Sequence, residues 1–156
     1  MTGNPCAIGA EVPDFKAEST GGPVALRALR GKTVVLYFYP KDNTPGCTTE
    51  TREFGDRIDE FAKAGAVVLG VSRDSMASHE KFKRNLELPF ELVSDPDEAL
   101  CALFGVMKMK NMYGKQVRGV ERSTFIIDPR GVLTHAWRGV KVPGHVSEVL
   151  STVQRG

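Results

Sequence analysis

A chain of 156 residues with 41% hydrophobic and 26% charged side chains has the length and composition of one globular domain, 1–156, able to bury a core without staples. Its 21 basic and 19 acidic residues leave a formal charge of +2, which singles out neither nucleic acid nor membrane as a partner. No apolar run reaches the roughly 18–20 residues of a membrane span. The opening MTGNPCAIGAEVPDF lacks the basic and apolar regions of a signal peptide, so three cysteines, an odd number, are expected to be free thiols of a cytoplasmic protein.

The first 30 or so residues scatter Pro and Gly at Pro5, Pro13, Gly21, Gly22, Pro23 and Gly31, which predicts a loop-rich lead-in with a short hairpin. TVVLYFY, Thr33 to Tyr39, is an unbroken β-branched and aromatic run and reads as a central strand buried on both faces. Pro40 ends it, and KDNTPG leads into a helix expected from about Cys47 to Ala64, with Phe54, Ile58 and Phe61 at helical spacing. AVVLGVS, Ala66 to Ser72, is a second buried strand. A helix over Ser75 to Glu87 follows, with Ser75 as its cap. FELVSD gives a short strand. PDEALCALFG gives a short helix with Pro96 in its first turn, and STFIID and VLTHAWR give a hairpin turned by PRG. A last helix spans about Val146 to Gln154.

The order β–α–β–α–β–α–β–β–α predicts an α/β layered fold, with parallel early strands and an antiparallel late hairpin. A thioredoxin-like three-layer fold, a mixed central sheet flanked by helices, has this order. KMKNMYGKQVR, rich in Lys and Arg, reads as a solvated connection rather than an RNA-binding loop, and Trp137 as core packing with Phe125 and Ile127. His79, His135 and His145 are too dispersed for a ligand set, and no metal site is expected.

The chemistry concentrates in YPKDNTPGCTTE, Tyr39 to Glu50. A thiol at a helix N-terminus is favoured as thiolate by unpaired N–H groups and the positive end of the helix dipole, and Cys47 stands there. Pro45 and Gly46 stiffen the turn and allow close approach to the backbone. Thr44 can offer the sulfur's substrate a donor and an acceptor, or it can simply cap the helix above a small buried cysteine.

Pro40, Thr44, Cys47 and Glu50 form P-x-x-x-T-x-x-C with a trailing Glu after a buried strand, and this resembles the active-site signature of peroxiredoxins, in the bacterioferritin comigratory or peroxiredoxin Q subfamily. The likeness continues through GAEVPDF, GVSRDS, LPFELVSDPDEAL, YGKQVRGVERSTFIID and GVLTHAWRGVKVPGH. It implies a thiol-dependent peroxidase for hydrogen peroxide and organic hydroperoxides. In it Cys47 is the peroxidatic thiol, Thr44 orients the peroxide, Pro40 shields the pocket and Arg122 faces the thiolate. Glu50 could hold that guanidinium by a carboxylate pair. No cofactor is required.

The chain departs from the subfamily where a second thiol is usual. Arg52 stands five positions after Cys47, and Lys83 and Arg84 occupy the KFKRN stretch of the next helix. Cys101 sits among Leu100, Leu103 and Phe104 and reads as core, while Cys6 lies near an end expected to be mobile. The expected cycle is therefore a one-cysteine mechanism in a monomer, served by thioredoxin, glutaredoxin or a small thiol. The alternatives are resolution by Cys101 and a non-catalytic thioredoxin-fold chaperone.

Overall fold

The computed structural model describes residues 6–156; Pro5, one of the turn formers of the lead-in, lies outside them. The expected strands all form. β1 (Lys16–Ser19) and β2 (Gly22–Ala25) make the short hairpin, and β3 is Thr33–Phe38. Helices α1 (Pro45–Asp56) and α2 (Ile58–Lys63) lead to β4 (Ala66–Ser72), α3 (Met76–Leu86), β5 (Glu91–Ser94) and α4 (Ala99–Phe104). A hairpin of β6 (Met107–Met112) and β7 (Lys115–Val120) precedes β8 (Ser123–Ile127), β9 (Leu133–Arg138) and α5 (His145–Arg155). Seven strands form one sheet in the order β2-β1-β5-β4-β3-β8-β9. As the β-branched runs imply, β3, β4 and β5 are parallel in its centre, while β8 and β9 extend it antiparallel.

Strand alternation divides the core in two. Val34, Leu36, Phe38, Leu69, Val71 and Phe125 face one side, packed with Leu100, Cys101 and Phe104 of α4. Val35, Tyr37, Val68, Leu92 and Ile126 face the other, packed with Phe54 of α1, Phe61 of α2, Phe82 of α3 and Leu150 of α5. The fold is thus the mixed, three-layer thioredoxin-like arrangement.

Five local expectations are corrected. The single helix after Cys47 breaks at Arg57, whose φ of −107° and ψ of 11° leave the helical region. Gly55 just before it has low helix propensity and sits against Pro89. Pro96 is not in the first turn of α4: Glu98 caps it in the left-handed region, and the Asp95 carboxylate accepts from the N–H groups of Leu100 (3.1 Å) and Cys101 (2.9 Å). KMKNMYGKQVR is a true hairpin, turned at Tyr113 (φ 54°) and Gly114 (φ 81°), the paired positive φ values of a tight two-residue loop. Trp137 pairs with Thr124 and so lies on the face opposite Phe125, with its indole N–H donating to Glu148. Cys6 is tied down, its N–H bonded to the Leu103 carbonyl at 3.2 Å.

One polar cluster fixes the loop between β3 and α1. The buried His79 of α3 meets the Asp42 carboxylate at 2.8 Å through Nδ1 and the Val93 carbonyl at 2.9 Å through Nε2. Tyr39 and Ser78 also donate to Asp42, and the Asp42 N–H donates to Asp74. Burial opposes the charge on Asp42, yet hydrogen bonds from His79 and Tyr39 outweigh it and hold the carboxyl below its ordinary value. The resulting stabilisation is present above the ordinary Asp titration and is lost as pH falls through the lowered one.

Removing one partner strands the other in a dry site. His79→Ala and Asp42→Ala should each lower unfolding stability by about 3 kcal/mol or more, measured by urea titration. The double variant should lose clearly less than the sum of the two. Strict additivity would show that the two residues do not act as a pair.

Candidate active site

At the end of β3 the Tyr39 N–H still bonds to the Val71 carbonyl (3.0 Å), and Pro40, half-buried, then ends the ladder. The loop pinned by Asp42 delivers Thr44 to the N-cap of α1, with Pro45 and Gly46 opening the helix and Cys47 third in it. The carbonyl of Thr44 accepts the Thr48 N–H at 2.9 Å, but its hydroxyl makes no cap: it turns back and donates to the Lys41 carbonyl at 2.8 Å. The first-turn N–H groups therefore keep their polarity free of a side-chain cap beside the sulfur-bearing residue.

Cys47 is 1% exposed. Arg122, in the residue pair joining β7 to β8, donates from Nη2 to Cys47 Sγ at 3.4 Å and from Nη1 to Glu50 Oε1 at 2.6 Å. The guanidinium is thus held from two sides. Gly46 makes room for it, since a Cβ there would stand 3.2 Å from Nη2. Burial lowers the basicity of Arg122, but the negative charge of Glu50 and Cys47 more than restores it, so the cation is secure.

Glu50 answers differently to the same pair. Its side chain is fully buried, and this desolvation outweighs the pull of Arg122, raising its carboxyl to about 7; Glu53 adds a further upward push. The rise on Arg122 and the rise on Glu50 are compatible, because the guanidinium retains a partly wet edge and the carboxylate has none.

Of the residues read from the sequence, Cys47, Arg122 and Glu50 meet through direct bonds, and Thr44 and Pro40 flank them on the same loop. Sequence reading missed the supports. Tyr37 donates to Thr51 at 3.0 Å and stacks on Phe54 at 4.5 Å between centroids, bracing α1 against the sheet. Asp42 and His79 are 37 positions apart, and only the pattern of an Asp in the turn and a His one turn into the helix after β4 hinted at them.

Ligand atoms of Asp42, Asp74 and His79 lie within 4.8 Å of one another, a spacing open to a cation. Those atoms are instead engaged: Asp42 with His79, Ser78 and Tyr39, His79 with Val93, and Asp74 with Ser72 and the Asp42 N–H. The cluster is built as a tie.

The other thiols lie elsewhere. Cys101 and Cys6 belong to the core on the opposite face of the sheet from Cys47. Burial, reinforced by Asp95, pushes the Cys101 thiol far above its ordinary value, and burial raises Cys6 as well.

The chain matches the model of the AhpC/TSA family over residues 8–136. It is 56% identical over 136 residues to Peroxiredoxin Bcp of Xanthomonas campestris, covering 87% of this chain and 85% of that one, and 48% identical over 148 residues to Peroxiredoxin Bcp of Bacillus subtilis, covering 94% of each. Among solved structures, Xylella fastidiosa PrxQ superposes with a TM-score of 0.92 at 44% identity over 98% of both chains. The Xanthomonas campestris bacterioferritin comigratory protein gives 0.86 at 53% identity over 90% of both. With relatives this near covering most of their length and its own, the chain belongs to the AhpC/TSA family, on its Bcp and PrxQ side, and is a thiol-dependent peroxidase.

Proposed function

We propose that Cys47 is the peroxidatic thiol and that it works in a one-cysteine cycle, reducing hydrogen peroxide and organic hydroperoxides at the expense of an external thiol. The observation that carries this reading is the line from Cys47 Sγ through Arg122 to Glu50 at the uncapped start of α1. The Xanthomonas relative, studied for alkyl peroxide reduction, supports extending the substrate class to organic hydroperoxides.

The thiolate attacks the terminal oxygen of the O–O bond. An S–O bond forms as the O–O bond breaks, sulfur gives up two electrons, and the departing alkoxide or hydroxide leaves as alcohol or water after taking a proton. Arg122 and the first-turn N–H groups of α1 stabilise the charge moving onto the leaving oxygen, which is where positioned donors accelerate most. The Thr44 hydroxyl already donates to the Lys41 carbonyl, so its remaining lone pairs suit it to accept from the peroxide O–H. Pro40, half-buried where β3 ends, shields the pocket from water.

The one-cysteine cycle rests on where the other thiols are. A bridge between Cys47 and Cys101 would have to cross the sheet, and a disulfide requires Cα atoms within about 7 Å. Arg52 and Arg84 are exposed cations, and Lys83 is paired with Glu91. The sulfenic acid is therefore left for an outside thiol, a small one or that of a thioredoxin or glutaredoxin, in a cytoplasmic monomer.

Cys47→Ser should abolish peroxide consumption, whereas a non-catalytic chaperone would keep its holding activity in that variant. In stopped-flow assays of folded protein, Arg122→Ala should slow peroxide reduction by about 10²-fold, the scale of losing one oxyanion donor, and Thr44→Val, which loses the acceptor for the peroxide O–H, by about 10²-fold as well. A near-native rate in either removes that residue from the mechanism.

After one equivalent of peroxide, dimedone should label Cys47, and Cys101→Ala should turn over normally with a supplied thiol. A Cys47–Cys101 bridge in non-reducing peptide maps would overturn the one-cysteine cycle.

A further inference from the structure

Buried polar atoms almost always find a partner. Among the described residues, Glu50 Oε2 and Glu53 Oε1 are buried side-chain oxygens that have none. The two residues are i and i+3 on α1, so their side chains are neighbours on one helix face. Two ionised carboxylates there would suffer twice, from desolvation and from like charge. A carboxylic acid is also a donor, and one proton placed between the two groups gives each orphaned oxygen its hydrogen bond.

We infer that Glu50 and Glu53 hold one proton in common, so that the group behind Arg122 is an acid pair carrying a single negative charge rather than two. This rests on the reading of Cys47 and Arg122 as the reacting thiol and its cation. Glu50 Oε1 accepts from Arg122 at 2.6 Å, and Oε2 is the oxygen left to carry the proton. With the proton on Glu50, the guanidinium charge is directed to the sulfur and to the peroxide; with it gone, a full carboxylate competes for the same cation. Glu53 acts through Glu50 and is a positioning residue.

The surroundings agree. Facing Glu50 are Arg122 from the β7–β8 connection, Cys47 from its own helix, the Tyr37 hydroxyl from β3 and, beyond Arg122, His145 from α5. Only Arg122 among them offers Glu50 a fixed positive charge. His145 is held neutral-side by burial and bonds Thr124. The carboxyl of Glu50, raised to about 7, lies in the range where one proton comes and goes near neutrality. A small cavity of about 130 Å³ bordered by Glu53, Asp56, Arg57, Val146 and Ser147 gives Glu53 a route for proton exchange with water.

The test reads the proton itself. In the infrared spectrum of the reduced protein, the carbonyl band of a protonated carboxylic acid should be present at pH 6 and titrate away near neutrality, and it should vanish in Glu50→Gln. In Glu53→Gln, the amide supplies a donor to Glu50 and removes the like charge, so the midpoint should move to the acid side by about one pH unit or more. Single-turnover oxidation of Cys47 should show an inflection at the same midpoint, and in Glu53→Gln that inflection should move with it. A wild-type protein without the band, or an unchanged midpoint in Glu53→Gln, overturns the shared proton. The infrared reading needs no turnover, so either result leaves the reading of Cys47 standing, which only retained peroxide consumption in Cys47→Ser would overturn.

Discussion

The site depends on one cation, Arg122, held by two side chains of a neighbouring helix. Arg122 comes from the connection into β8, while Cys47 and Glu50 come from α1, so the guanidinium ties helix to sheet at the proposed reacting thiol. Neither partner could be given up cheaply. Glu50 without Arg122 is a carboxylate with no exposure, and Arg122 without Glu50 loses the contact that fixes its plane toward the sulfur. Gly46 belongs to the same constraint, because a larger residue would push against the guanidinium that Glu50 holds.

This arrangement carries a cost in stability that runs opposite to that of Asp42. Raising a carboxyl from 4.5 in the unfolded chain to about 7 in the folded one costs about 3 kcal/mol once both are ionised. The cost is absent below the unfolded value and complete above the folded one. Asp42, whose value is lowered, contributes stability above the ordinary range. One buried carboxylate anchors the loop and the other loads the helix it leads into. The Tyr37–Phe54 stack and the Tyr37–Thr51 bond are the packing that absorbs the load.

Much of the fold was legible because its central strands are buried on both faces: TVVLYFY and AVVLGVS admit no other reading, and Pro40, Thr44, Cys47 and Glu50 stand in a local signature, whereas Arg122, 75 positions from Cys47, was legible only through the family resemblance. The hairpin of β6 and β7 was illegible for the converse reason. Met109, Met112, Tyr113 and Val117 are exposed, so no apolar alternation marks it, and only the Tyr113–Gly114 turn gave a signal. The helix break at Arg57 follows Gly55, which lies against Pro89 of a distant segment. Asp42 with His79 is a pair of the same kind. The partnerless oxygens of Glu50 and Glu53 could be seen only once everything around them was in place.

The separation of the thiols ties these points together. Cys47 belongs to the face packed by α1, α2, α3 and α5, and Cys101 to the face packed by α4, with the sheet between them. A site that must reach an internal partner has to let its helix unwind in each cycle. In the one-cysteine reading no such partner exists, and α1 can be pinned at both ends: by Asp42 and His79 ahead of it and by Phe54 against Tyr37 and Phe61 within it. Such a helix holds the sulfur, the guanidinium and the acid behind it in one geometry, which favours the first step of the reaction and leaves the oxidised sulfur to whichever thiol can approach that turn from outside.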